Sequence, residues 1–206
     1  SSFETPLGEV PVDRAALRDI TSLPQAMVND ATHAEEHALE VQLPFLQRML
    51  GASFSLVPLA VGRAAVEEVA EVLEALWGGD ETLVVISSDL SHYLPYEEAR
   101  ARDRATIERV LRLEPDLDHD QACGATPLAG ALLAARERGL SPRLLDLRNS
   151  GDTAGDRSRV VGYCAMAFDA ALPADAARNG STGAHDRALG AALLSRAADF
   201  GADLIV

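Results

Sequence analysis

The chain predicts an α/β fold, a sheet with helices on its faces. Three observations carry that expectation. Short apolar runs alternate with helical patterns of ten or more residues, the alternation typical of α/β proteins. The last two strong apolar runs, 144–147 and 160–168, are joined by a polar loop alone, which predicts an antiparallel edge. Hydrophobic residues make up 48% of the 206, enough to build a core and to argue against global disorder.

Residues 1–12 read as extended, with Pro6 and Pro11 limiting regular pairing. Asp13 is placed to cap a short helix reaching residue 23. Leu39, Leu43, Leu46 and Leu50 recur at helical spacing within 33–50, and Pro44 bends or splits that helix. FSLVPLAV, 54–61, predicts a buried strand. Between 64 and 79 one face carries Val66, Val69, Val72, Leu73 and Leu76 against Glu on the other, an amphipathic helix stopped by Gly78. Residues 83–86 predict the next strand, 96–113 a charged helix, and 126–138 a small-residue helix closed by Gly139. The stretch 171–185 is rich in Ala, Pro, Gly and Ser and reads as a linker. Beyond it come a capped helix and the apolar end DLIV, either a last strand of the sheet or the start of a second domain. The expected division is a main domain over 1–170 and a linker plus helix over 171–206.

Composition removes several functions. The net charge of −14 opposes a nucleic-acid partner, which needs clustered basic residues. All 18 basic residues are Arg, so lysine Schiff bases, lysine-anchored pyridoxal phosphate and a P-loop lysine are excluded. No apolar run approaches the roughly 20 residues of a membrane span. The N-terminus has neither a basic stretch nor an apolar one, so no secretion signal is expected, and a cytoplasmic location follows. Two Cys do not make a disulfide framework.

Three groups of residues carry chemistry. The run 83–86 ends in Ser87-Ser88-Asp89-Leu90-Ser91-His92. Ligands of open α/β sheets bind at the carboxyl ends of strands. Asp89 and His92 therefore face a cleft where His92 donates or accepts a proton, or the serines and Asp89 simply terminate the strand and cap the next turn. HAEEH, 33–37, satisfies H-x-x-E-H, in which His33 and His37 would hold zinc with Glu36 nearby; a solvated first helical turn is the alternative. His37 lies closer to the apolar stripe and is expected to point inward. Cys123 precedes a helix near Thr126. Thiols at helix N-termini reach the thiolate form more easily in general, so it is a candidate metal ligand or nucleophile, or else a small buried apolar residue. Cys164 fits the buried role. Asp118, His119 and Asp120 read as a solvated acidic loop.

Four strings occur in order: EHALEVQLPFLQ, VVISSDLSHY, CGATPL and NSGDTAGDRSRVVGYCAMAF. Together they closely resemble the Memo-like family, also named AmmeMemoRadiSam system protein B, over roughly residues 1–170. That family is related to the class III extradiol ring-cleavage dioxygenases, which use non-haem iron. The resemblance implies a three-layer α/β domain with a central mixed sheet. It implies that Cys123 is the metal-binding cysteine, that His92 is an acid/base and that Asp89 lines the same pocket. It makes His37 a pocket histidine, gives His33 no role, and places Ser150, Gly151 and Asp152 in a family loop of unassigned chemistry. Family members normally also carry Pro-His-Ala-Gly-Tyr and Gly-Pro-x-His, each with a metal-binding His; neither string is present, and the chain is expected to begin after them. The expected cofactor is iron or copper, with redox or oxygenase-like chemistry. An inactive module using the pocket for a peptide or protein partner is the alternative, and a zinc peptidase a third reading. The expected partners are a small molecule or peptide and an AMMECR1-type domain, to whose linker the tail bears a short resemblance.

Overall fold

The computed structural model describes residues 2–170, other than 35, 52, 53, 80 and 154, together with 204–205. The linker and helix expected in 171–206 lie outside the described residues, apart from those last two. The chain is a mixed α/β domain.

It opens with a hairpin of β1 (Ser2–Thr5) and β2 (Gly8–Pro11). The prolines do not prevent pairing, because Pro6 sits in the turn and Pro11 ends the second strand. Asp13 caps α1 (Arg14–Ile20) by accepting the amides of Ala15 and Ala16. The helix expected across 33–50 is two helices, α2 (Asp30–His33) and α3 (Leu43–Leu50). Two local causes divide it. Pro44 belongs in the first turn of a helix, where its missing N–H is not needed. The Glu36 carboxylate accepts the amides of His37 and Ala38, a side-chain turn that competes with helix.

The run 54–61 forms no strand. Leu56 alone bridges Val12 in parallel, and Pro58 cannot donate to a longer ladder. The run 83–86 likewise forms no named strand: Val85 alone makes a bridge, and Ile86 alone of the four is fully buried. Helix α4 (Val66–Leu76) follows the predicted pattern, with Trp77 as its C-cap immediately before Gly78. Next come β3 (His92–Leu94), α5 (Tyr96–Leu111), α6 (Ala125–Glu137) and β4 (Leu140–Asn149). A 3-10 turn, Ser150–Asp152, leads through a loop to β5 (Val160–Ala170).

The sheet runs β3-β5-β4, and every pairing within it is antiparallel. A short β6 (Leu204–Ile205) also pairs with β5, so these two residues of the apolar end add to the sheet. Strand β4 reaches back to Leu140 because it accepts Pro142, a residue that edge strands accommodate. Helix α5 packs on β3, β4 and β5, and α6 packs on α4 and β4. The core between them holds Val69, Leu73, Ile107, Val110, Leu128, Leu132, Met166 and Phe168. Within β5, Met166 and Phe168 point into this core, as period-two alternation requires. Gly130 lets α6 approach α4, since a Cβ there would overlap Val69. No helix among the described residues is long and apolar enough to cross a membrane.

Candidate metal centre

The chain leaves the core just after Ile86, and the next two residues build a joint. Ser87 Oγ accepts from Gln42 Nε2 at 3.1 Å, tying the start of α3 to the end of the apolar run. Ser88 Oγ donates to the Asp89 carbonyl at 2.8 Å and accepts from the Gly124 amide at 2.9 Å. Gly124 immediately precedes α6. A Cβ there would stand 2.8 Å from Ser88 Cβ and 3.1 Å from the Ser87 carbonyl oxygen, so this close approach needs glycine. Cys123 thereby lies against Asp89. Its amide donates to the Asp89 carbonyl at 3.1 Å, and the Asp89 amide donates to its Sγ at 3.2 Å.

In a regular strand, residues three apart point to opposite faces. Asp89 and His92 would then be separated by the sheet. A bulge prevents this. The Leu90 amide donates to the Gly162 carbonyl, and the Gly162 amide donates to the Ser91 carbonyl, both at 2.9 Å. Two residues thus oppose one. Leu90 and Ser91 both turn inward, at 2% and 0% exposure. Asp89 and His92 both emerge outward, with His92 Nε2 3.6 Å from Asp89 Oδ2. That is ion-pair reach, longer than a hydrogen bond.

Asp89, His92 and Cys123 present one donor atom each, all within 4.8 Å of one another. Donors around an ion at the usual bond lengths lie about 3.6 Å apart in a tetrahedral site. Closing the difference takes a modest rotation of partly exposed side chains. A sulfur, an imidazole nitrogen and a carboxylate oxygen suit a transition metal better than magnesium or calcium. The residues present therefore fit a metal ion.

The other sequence candidates fall elsewhere or in supporting positions. His37 is exposed and outside the cluster, although Gln42, five residues on, reaches Ser87. His33 closes α2 and packs edge-on against the Phe3 ring at 6.2 Å. It shares no helix with His37, so the helical face that H-x-x-E-H requires is not formed. Cys164 packs against the core, and burial pushes its thiol up to about 12; Cys123 is the exposed thiol. The Asp118 carboxylate accepts the amides of Asp120 and Gln121, both at 3.0 Å, and so shapes its own turn.

Three contributions went unseen in the sequence. His119 Nδ1 lies 3.2 Å from the Cys123 carbonyl oxygen, bracing the loop that carries the thiol. Tyr163 points outward from β5 near Asp89; burial and then the Asp89 charge hold its phenol above the ordinary range. The alternation of Cys164, Met166 and Phe168 inward was the available signal for it. The 150–152 loop is a clamp. The Asp152 carboxylate accepts the Asn149 amide at 2.9 Å and the Tyr96 hydroxyl at 2.5 Å, while Ser150 Oγ accepts from the Val161 amide. It ties the β4–β5 connection to the start of α5, directly after β3.

Comparison with known proteins identifies the family. The family model described as Memo-like protein matches residues 1–167. A MEMO1 family protein of Methanopyrus kandleri is 36% identical over 181 residues, which cover 81% of this chain and 64% of that protein. One from Aquifex aeolicus is 36% identical over 178 residues, covering 81% and 67%. One from Sulfolobus acidocaldarius is 32% identical over 182 residues, covering 81% and 63%. The chain thus spans less than two thirds of the Methanopyrus and Sulfolobus proteins. On the extent of these matches, the chain belongs to the Memo-like family.

Proposed function

We propose that this chain supplies part of a transition-metal pocket for iron or copper, serving redox or oxygenase-like chemistry on a small molecule or peptide. The observation that carries the reading is the convergence of Asp89, His92 and Cys123 within 4.8 Å. Cys123 is the metal donor, because it offers the one exposed thiol and because a backbone N–H from Asp89 orients its sulfur. Iron or copper held there supplies one-electron chemistry that side chains lack. His92 holds and moves a proton at Nε2, the atom facing Asp89 Oδ2. Asp89 keeps the imidazole turned toward the pocket mouth, as carboxylate partners of histidine do. Tyr163 offers a phenolic hydroxyl near Asp89 for orienting a polar substrate group. His37, the pocket histidine that the family resemblance implies, is proposed as a substrate contact.

A second reading, a binding module for a peptide, is favoured by one observation: the cluster is reachable from solvent, with the Asp89 side chain 46% exposed. Metal titration separates the two. The purified chain is loaded anaerobically with Cu(I) and, separately, with Fe(II), and bound metal is measured after desalting. The metal reading expects retention by the unaltered chain, reduced retention in His92→Gln, whose imidazole is one of the three donors, and loss in Cys123→Ala. Equal retention in Cys123→Ala, or no retention by the unaltered chain, overturns it and leaves the binding module.

A further inference from the structure

The bulge that brings Asp89 and His92 to one side displaces a backbone donor. Leu90, not Ser91, donates to the Gly162 carbonyl. The Ser91 amide is therefore left without a ladder partner in a residue that is 0% exposed. Buried amides without acceptors are strongly disfavoured. The acceptor comes from the middle of α5, where Asp103 Oδ1 receives the Ser91 amide at 3.0 Å. Asp103 is itself only 2% exposed, an unusual position for a carboxylate. The facing strand is shaped around it, since a Cβ on Gly162 would overlap Asp103 Oδ2. The contact that the geometry defines is to the amide; among the described residues the Ser91 hydroxyl makes no hydrogen bond of ordinary geometry.

We infer that Asp103 is a positioning residue for the candidate metal centre: by holding the Ser91 amide it fixes the bulge that puts Asp89 and His92 on the side of Cys123. The inference rests on the reading of those three residues as one metal-binding group. Remove the acceptor, and the Ser91 amide regains a partner by returning to the Gly162 carbonyl. That restores a regular ladder and shifts Asp89 by one position, which turns its side chain to the other face. A carboxylate with a merely structural role would lower stability and leave the site unmoved.

The test compares the unaltered chain with Asp103→Ala, Asp103→Asn, Gly162→Ala and Ile107→Val, the last a core change on the same helix. Two quantities are read well below each melting temperature: Co(II) affinity from the sulfur-to-metal absorption band, and the alkylation rate of Cys123 by iodoacetamide in metal-free protein. Asp103→Ala and Gly162→Ala are expected to weaken Co(II) binding by about 10- to 100-fold, the usual effect of losing a group that orients ligands. They should also change the alkylation rate several-fold. Asp103→Asn keeps an oxygen for the amide and stays near the unaltered chain. Ile107→Val lowers Tm and moves neither reading. If Asp103→Ala and Ile107→Val match in both readings, the inference is overturned. If the unaltered chain takes no cobalt, the metal reading fails, and the alkylation series still decides the role of Asp103. Should Asp103→Ala not fold, Gly162→Ala set against Asp103→Asn decides it.

Discussion

Asp89 and Cys123 are joined twice: the Cys123 amide donates to the Asp89 carbonyl at 3.1 Å, and the Asp89 amide donates to the Cys123 sulfur at 3.2 Å. The thiol is thus held against the strand end by main chain rather than by side-chain packing. This separates the two cysteines chemically. Cys123 is exposed and oriented, whereas burial pushes Cys164 up to about 12. Iodoacetamide near pH 8 should therefore modify one thiol per native chain and two per chain in guanidinium. Mass spectrometry should locate the native label on Cys123. Labelling of Cys164 in native protein at a comparable rate would contradict the structure.

The same joint depends on Gly124. Its position leaves 2.8 Å between a Cβ and Ser88 Cβ, and 3.1 Å to the Ser87 carbonyl oxygen. The backbone oxygen cannot rotate away, so α6 and the loop before it must shift together. Gly124→Ala should cost about 1–3 kcal/mol in urea unfolding, in the range for overpacking. It should also disturb the labelling rate of Cys123, its neighbour. An unfolding midpoint equal to that of the unaltered chain would mean that the joint is looser than described.

How much of this was legible beforehand follows from what each feature depends on. The helices Val66–Leu76, Tyr96–Leu111 and Ala125–Glu137 were readable because apolar spacing, charge and stop residues are local. The runs 54–61 and 83–86 were read as strands, and each pairs at one residue only, Leu56 and Val85, because an apolar run looks alike whether it is paired along its length or at a single bridge. Asp89, His92 and Cys123 were visible as residue types, and the family resemblance joined them. Their common side was not readable. Asp-x-x-His spacing alone separates two side chains across a strand, and the bulge that reunites them depends on Asp103, eleven residues beyond His92. The alternation within β5 turns Tyr163 outward, but its neighbour Asp89 comes only from strand pairing, and Gln42 reaches the site only through helix packing, which no local pattern encodes.

Tyr96 and Asp152 provide a pH-dependent clamp on β3. The Tyr96 hydroxyl donates to the Asp152 carboxylate, and this bond first, then the Asn149 amide, holds the carboxyl below its ordinary value of 3.8. A depressed carboxyl contributes stability that is present above its unfolded value and lost as pH falls through the folded one. Tyr96→Phe should therefore lower the urea midpoint at neutral pH, and the gap from the unaltered chain should narrow as pH falls below about 4. A gap of constant size across that range would show that the hydroxyl does not act through the carboxylate.

Asp103 has the opposite sign. Burial holds its carboxyl above 3.8, against hydrogen bonding from Ser91 and then the charges of Arg102 and His92. A group raised in this way contributes stability that is fully present below the unfolded value and is lost as pH rises through the folded value. Arg100, Arg104, Arg148 and Asp152 line the cleft beside it, and they are common to the parent chain and to any Asp103 variant. Asp103→Asn removes the ionisation and keeps an oxygen for the Ser91 amide. Its stability relative to the parent should therefore improve from about pH 4 to pH 7. Urea midpoints of both chains, taken at several pH values in one salt concentration, read this directly. A difference that does not vary with pH would mean that the buried carboxyl titrates alike in folded and unfolded chains, and that the helix does not hold it away from water.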